Sequence, residues 1–284
     1  MPVPRVAVVG HVEWVTHARG DVPQGGQIAH LVEAFDEPAG WGAVTAAQVA
    51  RLGADCRFYT ALSDDGFGEA GRQILAAHGV TVIAARRTEA QTRALTVVDE
   101  SGERTILVTG ARLSPRIDDQ LPWAELSRCD GAFFTGDDPR TLIAARAARH
   151  LVVTSRRLAS LIESGVQADV VVASATDPDE AFDPALLPIA PRAFVFTEGG
   201  RGGRIVVGDR ERRFEPASPP GPPVDAYGAG DSFAAGLTVG LARGLPLDEA
   251  VALAARCGAT ALTGRGGLGS QLDETAASHG ASRA

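Results

Sequence analysis

The segment Gly221-Pro-Pro-Val-Asp-Ala-Tyr-Gly-Ala-Gly-Asp-Ser-Phe-Ala-Ala-Gly-Leu-Thr-Val-Gly240 carries the most information in this chain of 284 residues. An extended stretch leads through small residues into an apolar helix. In Gly228-Ala229-Gly230 the side chains are absent or minimal, so a phosphate could approach the backbone N–H groups and the positive end of the helix. Asp231 lies where that helix begins, and its carboxylate could cap the helix or take a proton from a hydroxyl that attacks the same phosphate. A capped junction without ligand is the alternative for such a motif taken alone.

Short Val/Ala/Ile-rich runs alternate with Ala/Leu/Arg-rich stretches along the chain. Because strands that alternate with helices pair in parallel, we expect an α/β fold whose sheet is covered on both faces. Two segments, 12–38 and 84–110, depart from this alternation, and the Ala/Ser-rich end from Thr275 to 284 is predicted to be disordered. The pattern predicts strands near 5–10, 56–61, 131–135, 151–154, 169–173 and 193–197, and helices near 42–52, 68–78, 140–149 and 246–262.

The composition argues against several classes of protein. A net charge of −8 with interspersed charges disfavours a nucleic-acid partner, which needs a concentrated basic face. No apolar run reaches the ~18 residues of a membrane span and no signal peptide is recognised, so we expect a cytoplasmic enzyme without a membrane partner. Cys56, Cys129 and Cys257 are odd in number and far apart, which favours reduced packing residues over a disulfide framework or a zinc site.

All 27 Lys-or-Arg positions are Arg, since the chain contains no Lys. A P-loop needs its lysine and a protein kinase needs its strand lysine, so both designs are excluded. The stretch Gly264-Arg-Gly-Gly-Leu-Gly269 spells Gly-x-Gly-x-x-Gly, but it follows an Ala-rich helix, whereas a dinucleotide fingerprint should follow a strand. If the chain binds ATP, the phosphates must therefore be held by backbone amides, Arg side chains and a metal ion.

The heptapeptide Asp225-Ala-Tyr-Gly-Ala-Gly-Asp231 closely resembles the Asp-Thr-x-Gly-Ala-Gly-Asp signature of the ribokinase-like (PfkB) sugar kinases, with Ala226 in place of Thr. Other family landmarks follow in the expected order over nearly the whole chain. The resemblance implies a single kinase domain over 1–284. It also implies a three-layer αβα sandwich with a mostly parallel central sheet, and a small β lid formed by the segments 12–38 and 84–110.

The resemblance further implies roles in phosphoryl transfer. Asp231 corresponds to the catalytic base, and the backbone of Gly228, Ala229 and Gly230 corresponds to the anion hole for the transferred phosphoryl group. Asp225 corresponds to a ligand of a monovalent cation, and Ser270 falls where a second cation-binding residue is often seen. The change from Thr to Ala in this motif affects the cation site and leaves the base untouched.

Two stretches resemble the nucleotide and magnesium sites of the family. The segment after a predicted strand matches Thr-x-Gly-x-x-Gly at Thr197, Gly199 and Gly202, although a glycine turn after a strand is by itself commoner than a nucleotide site. Ser174-Ala-Thr-Asp177 stands where the family has the Asn-x-x-Glu that organises Mg²⁺ through water. Asp177 keeps a carboxylate there, whereas Ser174 replaces the amide.

The acceptor site is where the chain departs most from the family pattern. Gly40 and Gly42 stand where the sugar-contacting glycines do, but Trp41 replaces a smaller or charged residue and Val44 takes the place of an Asn. Glu13 could substitute for the missing Asp or Asn of the first strand and loop. Since a lost polar partner penalises a substrate hydroxyl with nowhere else to bond, plain ribose is disfavoured.

Asp137, at the end of a predicted strand, is either a further contact to the sugar or an ordinary exposed carboxylate. Together with these residues, the resemblance implies an ATP-dependent phosphotransferase that uses Mg²⁺ and K⁺ and phosphorylates a hydroxymethyl group of a sugar, nucleoside or related polyol. Two alternatives stay open: a non-catalytic relative that binds a sugar or nucleotide, and a kinase for a hydroxymethyl heterocycle. The assembly considered is a homodimer formed through the lid.

Overall fold

The computed structural model describes residues 2–100 and 104–279. Its strands are β1 Arg5–Val9, β2 Glu13–Arg19, β3 Val32–Ala39, β4 Asp55–Ser63, β5 Thr81–Arg87, β6 Arg93–Val98, β7 Arg104–Thr109, β8 Gly131–Phe134, β9 Leu151–Thr154, β10 Val170–Ser174, β11 Ala193–Thr197, β12 Gly203–Val207 and β13 Arg210–Phe214. Its α-helices are α1 Trp41–Arg51, α2 Gly66–Ala77, α3 Pro139–Ala145, α4 Leu158–Ser164, α5 Ala229–Ala242, α6 Leu247–Ala261 and α7 Glu274–His279.

The larger sheet has the strand order β13-β12-β11-β10-β9-β8-β1-β4-β5 within the described residues. The strands from β5 to β11 in this order pair in parallel, and β12 and β13 extend the sheet antiparallel at one edge. Successive side chains of β1 enter different apolar layers. Val6 and Val8 pack in the layer that contains α1, α5 and α6, whereas Ala7 and Val9 pack in the layer of α3 and α4. The predicted three-layer α/β fold with a mostly parallel sheet is confirmed.

Helix α5 is the central helix of its layer, and it is buried on every side from Ser232 to Ala242. A Cβ at Gly236 would lie 2.8 Å from Ala254 Cα, and a Cβ at Gly240 would lie 2.8 Å from Ala250 Cα. These glycines therefore allow α5 and α6 to approach closely. An apolar helix with small residues at its contacts is expected for such a position.

The smaller sheet has the order β3-β2-β6-β7 and is built from parts of the segments 12–38 and 84–110. Strands β2 and β6 are parallel, and the outer pairs β2–β3 and β6–β7 are antiparallel. Val15 and Ala94 are buried on its inner strands, whereas every residue of β7 is exposed. Because only residues 10–12 separate β1 from β2, this sheet lies next to the carboxyl end of β1.

Two boundaries differ from the expectation. Residues 84–87 belong to β5 in the larger sheet, because an edge strand with one exposed face shows the same alternating pattern as a lid strand. The end of the chain predicted to be disordered begins instead as α7. Asp273 Oδ1 accepts the N–H of Ala276 at 2.8 Å, and Ala277 is buried, so this short helix is both capped and packed. Residues 280–284 lie outside the described residues.

Candidate active site

Helix α5 begins directly at the small-residue turn, with Gly228 as its N-terminal capping residue. Gly228 has φ 75° and ψ 1°, and a Cβ there would lie 3.0 Å from Val44 Cγ1 and 3.1 Å from Gly267 Cα. Both the left-handed backbone and the close neighbours favour glycine. The Asp231 carboxylate makes no hydrogen bond to the helix end among the described residues, so the structure does not use it as a cap. Of the two roles predicted for Asp231, only that of a base is compatible with this geometry.

Neither packing nor backbone conformation requires a glycine at position 230. It is exposed in the first turn of α5, its φ is not positive, and a Cβ there would meet no atom within 4 Å. The N–H groups of Gly230 and Asp231 belong to the first helical turn, where no intrahelical acceptor is available. Open space beside such N–H groups, at the positive end of a helix, fits an anionic group.

The Asp231 carboxyl group is only partly exposed and lies among charged side chains. Burial, followed by the negative charges of Glu180 and Glu13, raises the pKa of Asp231 to about 7, while Arg156 and Arg104 act in the opposite direction. A carboxylate with such a pKa is a much stronger base than an ordinary Asp and is still partly ionised at neutral pH. Groups of this kind are concentrated at functional sites.

Glu180 is a candidate residue that the sequence reasoning missed. Its Oε2 accepts the Ser174 N–H at 2.7 Å and the Ser155 hydroxyl at 3.0 Å, and its Oε1 accepts Arg156 Nε at 3.0 Å. Asp177 contacts the Nη2 of the same Arg156. The structure thus brings Ser174 and Asp177 together with a second carboxylate. Glu180 lies six residues after Ser174, outside the Asn-x-x-Glu spacing, so no signal in the sequence identified it.

Ser174 and Thr197 are register partners at the carboxyl ends of β10 and β11. The turn that follows Thr197 contains Gly199 with φ 59° and Gly202 with φ 76°, and a Cβ at Gly202 would lie 2.1 Å from Phe214 O. These glycines are therefore explained by the backbone of the turn into β12. A contact of this turn with nucleotide stays a prediction. The neighbouring Ser174 donates its N–H to Glu180, the carboxylate whose charge raises the pKa of Asp231 most.

Glu13 opens β2 beside the buried end of β1. Its Oε1 lies 3.3 Å from His11 Nε2. Burial alone would raise the pKa of Glu13, but the contact with His11 and the charge of Arg112 hold it below its ordinary value. Gly40 and Gly42 allow this arrangement, because a Cβ would lie 3.2 Å from His11 Nε2 at Gly40 and 2.6 Å from His11 O at Gly42. Glu13 is therefore ionised at neutral pH and can accept hydrogen bonds from hydroxyl groups.

Trp41 begins α1 and is surrounded by three guanidinium groups. Its ring centroid lies 4.5 Å from Arg156 Cζ, 5.3 Å from Arg157 Cζ and 5.9 Å from Arg112 Cζ. Asp137 Oδ1 lies 3.1 Å from Arg157 Nη1 and 3.7 Å from Arg112 Nη1. Trp41 and Asp137, which were predicted separately, thus share two arginines to which the sequence reasoning gave no role.

Val44 does not line the acceptor side of the site. It is fully buried with Val15, Ala39 and Ala94, and its Cγ1 packs behind the turn at Gly228. This corrects the expectation that Val44 contacts the substrate. The expectation came from an alignment of Val44 with the family Asn along the sequence, whereas in the structure the side chain packs against the turn at Gly228.

Asp225 and Ser270, the predicted ligands of a monovalent cation, both contact the loop after α6. Asp225 Oδ1 accepts the Tyr227 N–H at 2.9 Å, and Oδ2 accepts the Gly266 N–H at 3.0 Å. Ser270 Oγ lies 2.9 Å from Thr263 Oγ1. Each of these oxygens has a further lone pair that a cation could use. Over residues 2–100 and 104–279, no three His, Cys, Asp or Glu side chains are grouped so that they could hold a metal ion.

The parallel sheet, the small second sheet beside Glu13, and a helix end that combines N–H groups without an intrahelical acceptor with a carboxyl group of raised pKa are the arrangement expected of a phosphotransferase acting on a hydroxyl group. Residues 4–274 match the sequence model of the family described as pfkB family carbohydrate kinase. The chain therefore belongs to this family and is an ATP-dependent carbohydrate kinase. Within the described residues, no helix combines the length and apolar character needed to cross a membrane.

Two relatives show how far this similarity extends. A fructokinase from Klebsiella pneumoniae is 30% identical over 270 residues, which cover 81% of this chain and 87% of the relative. An acarbose 7(IV)-phosphotransferase from an Actinoplanes species is 40% identical over 74 residues, which cover 25% of each chain.

Solved structures share the fold over nearly the whole length. A ribokinase from Thermotoga maritima superposes with a TM-score of 0.81 at 20% identity and covers 99% of this chain and 100% of that one. An adenosine kinase from Sinorhizobium meliloti has a TM-score of 0.79 at 21% identity, with 98% and 99% coverage.

Proposed function

We propose that this kinase transfers the γ-phosphoryl group of ATP to a hydroxymethyl group of a sugar, nucleoside or related polyol, with Asp231 as the general base. The observation that carries the proposal is the Asp231 carboxyl group. Its pKa is about 7, and its oxygens have no hydrogen-bond partner in the described part of the chain. Asp231 follows Gly230 directly in the chain, and a Cβ at Gly230 would meet no atom within 4 Å. A general base needs such an unengaged carboxylate within reach of the acceptor.

The proposed chemistry is an in-line displacement at phosphorus. Asp231 accepts the proton of the acceptor hydroxyl while the hydroxyl oxygen bonds to the γ-phosphorus and the bond to the β–γ bridging oxygen of ADP breaks. The N–H groups of Gly230 and Asp231 stabilise the charge on the transferred group, together with the positive end of α5.

Magnesium, when bound, neutralises the nucleotide phosphates in such a reaction. The carboxylates of Asp177 and Glu180 are the type of ligand that it prefers. Both already contact Arg156, so we assign them a contact with the ion through water rather than a direct bond.

The acceptor is proposed to bind between Trp41, Glu13 and the small sheet. Glu13 accepts hydroxyl hydrogens, Asp137 provides a second carboxylate, and the ring of Trp41 offers an apolar surface to the C–H groups of a sugar. Fructose is the first acceptor to test, because a relative covering most of the chain is a fructokinase. Ribose should be a poor acceptor, since Trp41 puts an apolar ring on this side where the family has a smaller or charged residue. A kcat/KM for ribose above those of other pentoses, hexoses and nucleosides would contradict this assignment.

A screen for acceptors tests the proposed function directly. ADP production is measured with sugars, sugar phosphates and nucleosides, and the melting temperature is measured in parallel with a non-hydrolysable ATP analogue, because ligands that bind only the native state raise it. Turnover that depends on one acceptor supports the proposal. If sugars or nucleotides stabilise the protein but no acceptor promotes turnover, the non-catalytic alternative, which the changes at Ala226 and Ser174 favour, is correct.

The two kinds of cation should have different effects on the rate. Mg²⁺ should be indispensable because it neutralises the phosphates, whereas K⁺ at Asp225 and Ser270 would hold the turn in shape and only tune the rate. We expect chelation of Mg²⁺ to abolish turnover, and replacement of K⁺ by a large organic cation at constant ionic strength to reduce it. Full activity without Mg²⁺ would overturn the mechanism, while indifference to K⁺ would remove only the roles of Asp225 and Ser270.

We also propose that the protein is cytoplasmic and that it dimerises through the small sheet. The cytoplasm supplies ATP and keeps thiols reduced, which agrees with three buried cysteines that form no disulfide. The exposed strand β7 carries Ile106, Leu107 and Val108 at one edge of the small sheet. An unpaired edge with apolar side chains is a surface on which a second copy could pair.

A further inference from the structure

A buried carboxylate crosses from the small sheet to the loop after α6. Glu37 lies on β3 and is 7% exposed. Its Oε1 accepts the Gly267 N–H at 2.6 Å, and its Oε2 accepts the Leu268 N–H at 3.3 Å. A Cβ at Gly266 would lie 2.3 Å from Glu37 Oε1, so the loop fits closely around this carboxylate. Without Glu37, two N–H groups would lose their acceptor in the interior, which is costly.

The same loop contacts the turn that precedes the anion site. The N–H of Gly266 and the N–H of Tyr227 are held by the two oxygens of Asp225. Gly267 Cα lies 3.1 Å from the position that a Cβ of Gly228 would take. Movement of the loop at 266–268 would therefore displace both Asp225 and the left-handed residue from which α5 begins.

His17 closes the network on the side of the small sheet. It lies on β2, and its Nε2 is 3.0 Å from Glu37 Oε1, a packing contact without the alignment of a hydrogen bond. Its ring stacks on Phe35 with 4.9 Å between centroids and meets the edge of Tyr227 at 4.7 Å. Tyr227 is the residue immediately before Gly228. A closed ring of contacts therefore runs from His17 through Glu37, the loop, Asp225 and Tyr227 back to His17.

This ring contains two residues of the small sheet and two loops outside that sheet, and both loops adjoin the catalytic turn. A carboxylate is costly to bury unless its bonds are satisfied, and here those bonds go to backbone that shapes the site. Asp36 on the same strand is different, because it is exposed and, within the described residues, accepts a hydrogen bond only from Thr16 on the neighbouring strand.

We propose that Glu37, packed against His17, is a positioning residue that fixes the catalytic turn 228–231 according to the position of the small sheet. This inference rests on the proposed function, since it assigns Glu37 to the shaping of the anion site there. Glu37 acts through backbone contacts and does not touch the reacting atoms. The turn takes its anion-binding shape when the small sheet, through Glu37, holds the loop at 266–268.

Hydrogen exchange of the free protein tests the proposal without any acceptor. Exchange is followed by mass spectrometry in peptides that cover 224–233 and 262–270, for the wild type, Glu37→Gln and the matched control Asp36→Asn. We expect Glu37→Gln to speed exchange by about tenfold or more at the bonded N–H groups of Tyr227 and Ser232, which Glu37 does not contact. Asp36→Asn should match the wild type. Faster exchange confined to Gly267 and Leu268 would overturn the proposal.

Kinetics provide the second measurement, with fructose as the probe acceptor. Glu37→Gln should lower kcat by about 10–100-fold and change the KM for ATP by less than about threefold, because it disturbs a turn that acts in the transition state. Equal losses in Asp36→Asn would point to a general effect on the small sheet and contradict the proposal. If the wild type turns over no acceptor, the proposed function fails, while the exchange data still decide the role of Glu37.

A second variant keeps the proposal testable if Glu37→Gln does not fold. His17→Phe preserves the stacking on Phe35 and Tyr227 but removes the nitrogen that faces Glu37, and the bonds from Glu37 to the loop remain available. We expect the same change in exchange at 224–233, at a smaller amplitude. Wild-type exchange there in every folded variant of Glu37 or His17 would overturn the proposal.

Discussion

Asp231 is held in an environment that disfavours its charge. An ordinary Asp has a pKa near 4, whereas burial and the nearby Glu180 raise the pKa of Asp231 to about 7. The side chain gains nothing in return from the helix, because it forms no cap at the start of α5. Helix stability therefore does not explain its position, which agrees with the proposed role in proton transfer. The charges of Arg156 and Arg104 limit this rise in pKa, so part of the Asp231 population is ionised at neutral pH.

The first prediction at the residue scale concerns Asp231→Asn. The variant should keep its affinity for a non-hydrolysable ATP analogue, and its kcat should fall by ~10²–10⁴, the range typical for loss of a general base. Asn is close in shape but cannot accept the proton at a useful pKa. Retention of more than about a tenth of wild-type kcat in the acceptor assay would show that another group is the base.

Thermal unfolding provides the control for this variant. The pKa of Asp231 in the folded protein lies above its unfolded value, so wild-type stability falls as the pH rises between about 4 and about 7. Asn carries no such penalty. At about pH 8 the variant should therefore melt at or above the wild-type temperature, so lost activity could not be attributed to unfolding.

The second prediction is an acid limb in the pH profile. Only the ionised Asp231 acts as a base, so kcat/KM should rise about tenfold per pH unit below about 7 and level off above it. Burial lowers the pKa of His11, which contacts Glu13, below its ordinary value and so further from the limb expected for Asp231. Initial rates across this range, with saturating Mg²⁺, test the assignment. A flat profile from about pH 5.5 to 7.5 would contradict it.

At the scale of the element, the first turn of α5 separates two kinds of glycine. Gly228 is required by its left-handed φ and by Val44, whereas Gly230 has neither reason. Gly66 provides a matched case, because it is exposed at the start of α2 and a Cβ there would also meet nothing within 4 Å. If alanine substitutions at Gly230 and Gly66 differ in their effect on kcat/KM, the difference must then come from a ligand that approaches the start of α5.

We predict that Gly230→Ala lowers kcat/KM by about tenfold or more, because the methyl group occupies the space where phosphate approaches. Gly66→Ala should leave kcat/KM unchanged. Both substitutions should hold or raise the free energy of unfolding, by roughly 0.4–1 kcal/mol, since Ala restricts the unfolded chain more than Gly. Steady-state kinetics and urea unfolding decide the matter. Wild-type activity in Gly230→Ala would remove the anion site from this turn.

Elements with strong local patterns could be predicted from the sequence. Val-rich strands such as β10 and the apolar helix α5 carry their period in adjacent residues, and the structure confirms them. The hairpin β12–β13 was missed, because β13 reads Arg-Glu-Arg-Arg-Phe and shows no apolar period. Its pairing with β12 depends on the tertiary edge of the sheet, which overrides local propensity.

The candidate site divides in the same way. The turn at 228–231 is one contiguous motif, so its residues could be predicted from the sequence alone. Glu180 and the arginines around Trp41 come from separate segments and meet only after the sheet has formed. The error at Val44 has a related cause, because sequence alignment gives a position along α1 but not the direction in which its side chain points.

At the scale of the whole molecule, topology brings the two sheets together. Strand β2 leaves the carboxyl end of β1, and the ends of parallel strands share one edge of the larger sheet. The small sheet places Glu13 beside His11 and Glu37 against the loop after α6, whereas β7 is exposed at all six positions. An edge strand so exposed would invite uncontrolled pairing unless a partner covers it.

The last prediction is that a dimer forms through this edge. Leu107 lies in the middle of β7 and is 48% exposed, and its register partner is Leu95 on β6. Leu107→Glu would place a charge in the proposed contact, where burial of an unpaired carboxylate is costly, so the variant should be monomeric at concentrations where the wild type is dimeric. Leu186→Glu is the control, since Leu186 is 66% exposed but lies outside the small sheet, and it should remain dimeric. Sedimentation velocity over a range of concentrations measures the mass in each case. A monomeric wild type, or a Leu107→Glu variant that still dimerises, would place the interface elsewhere or exclude it.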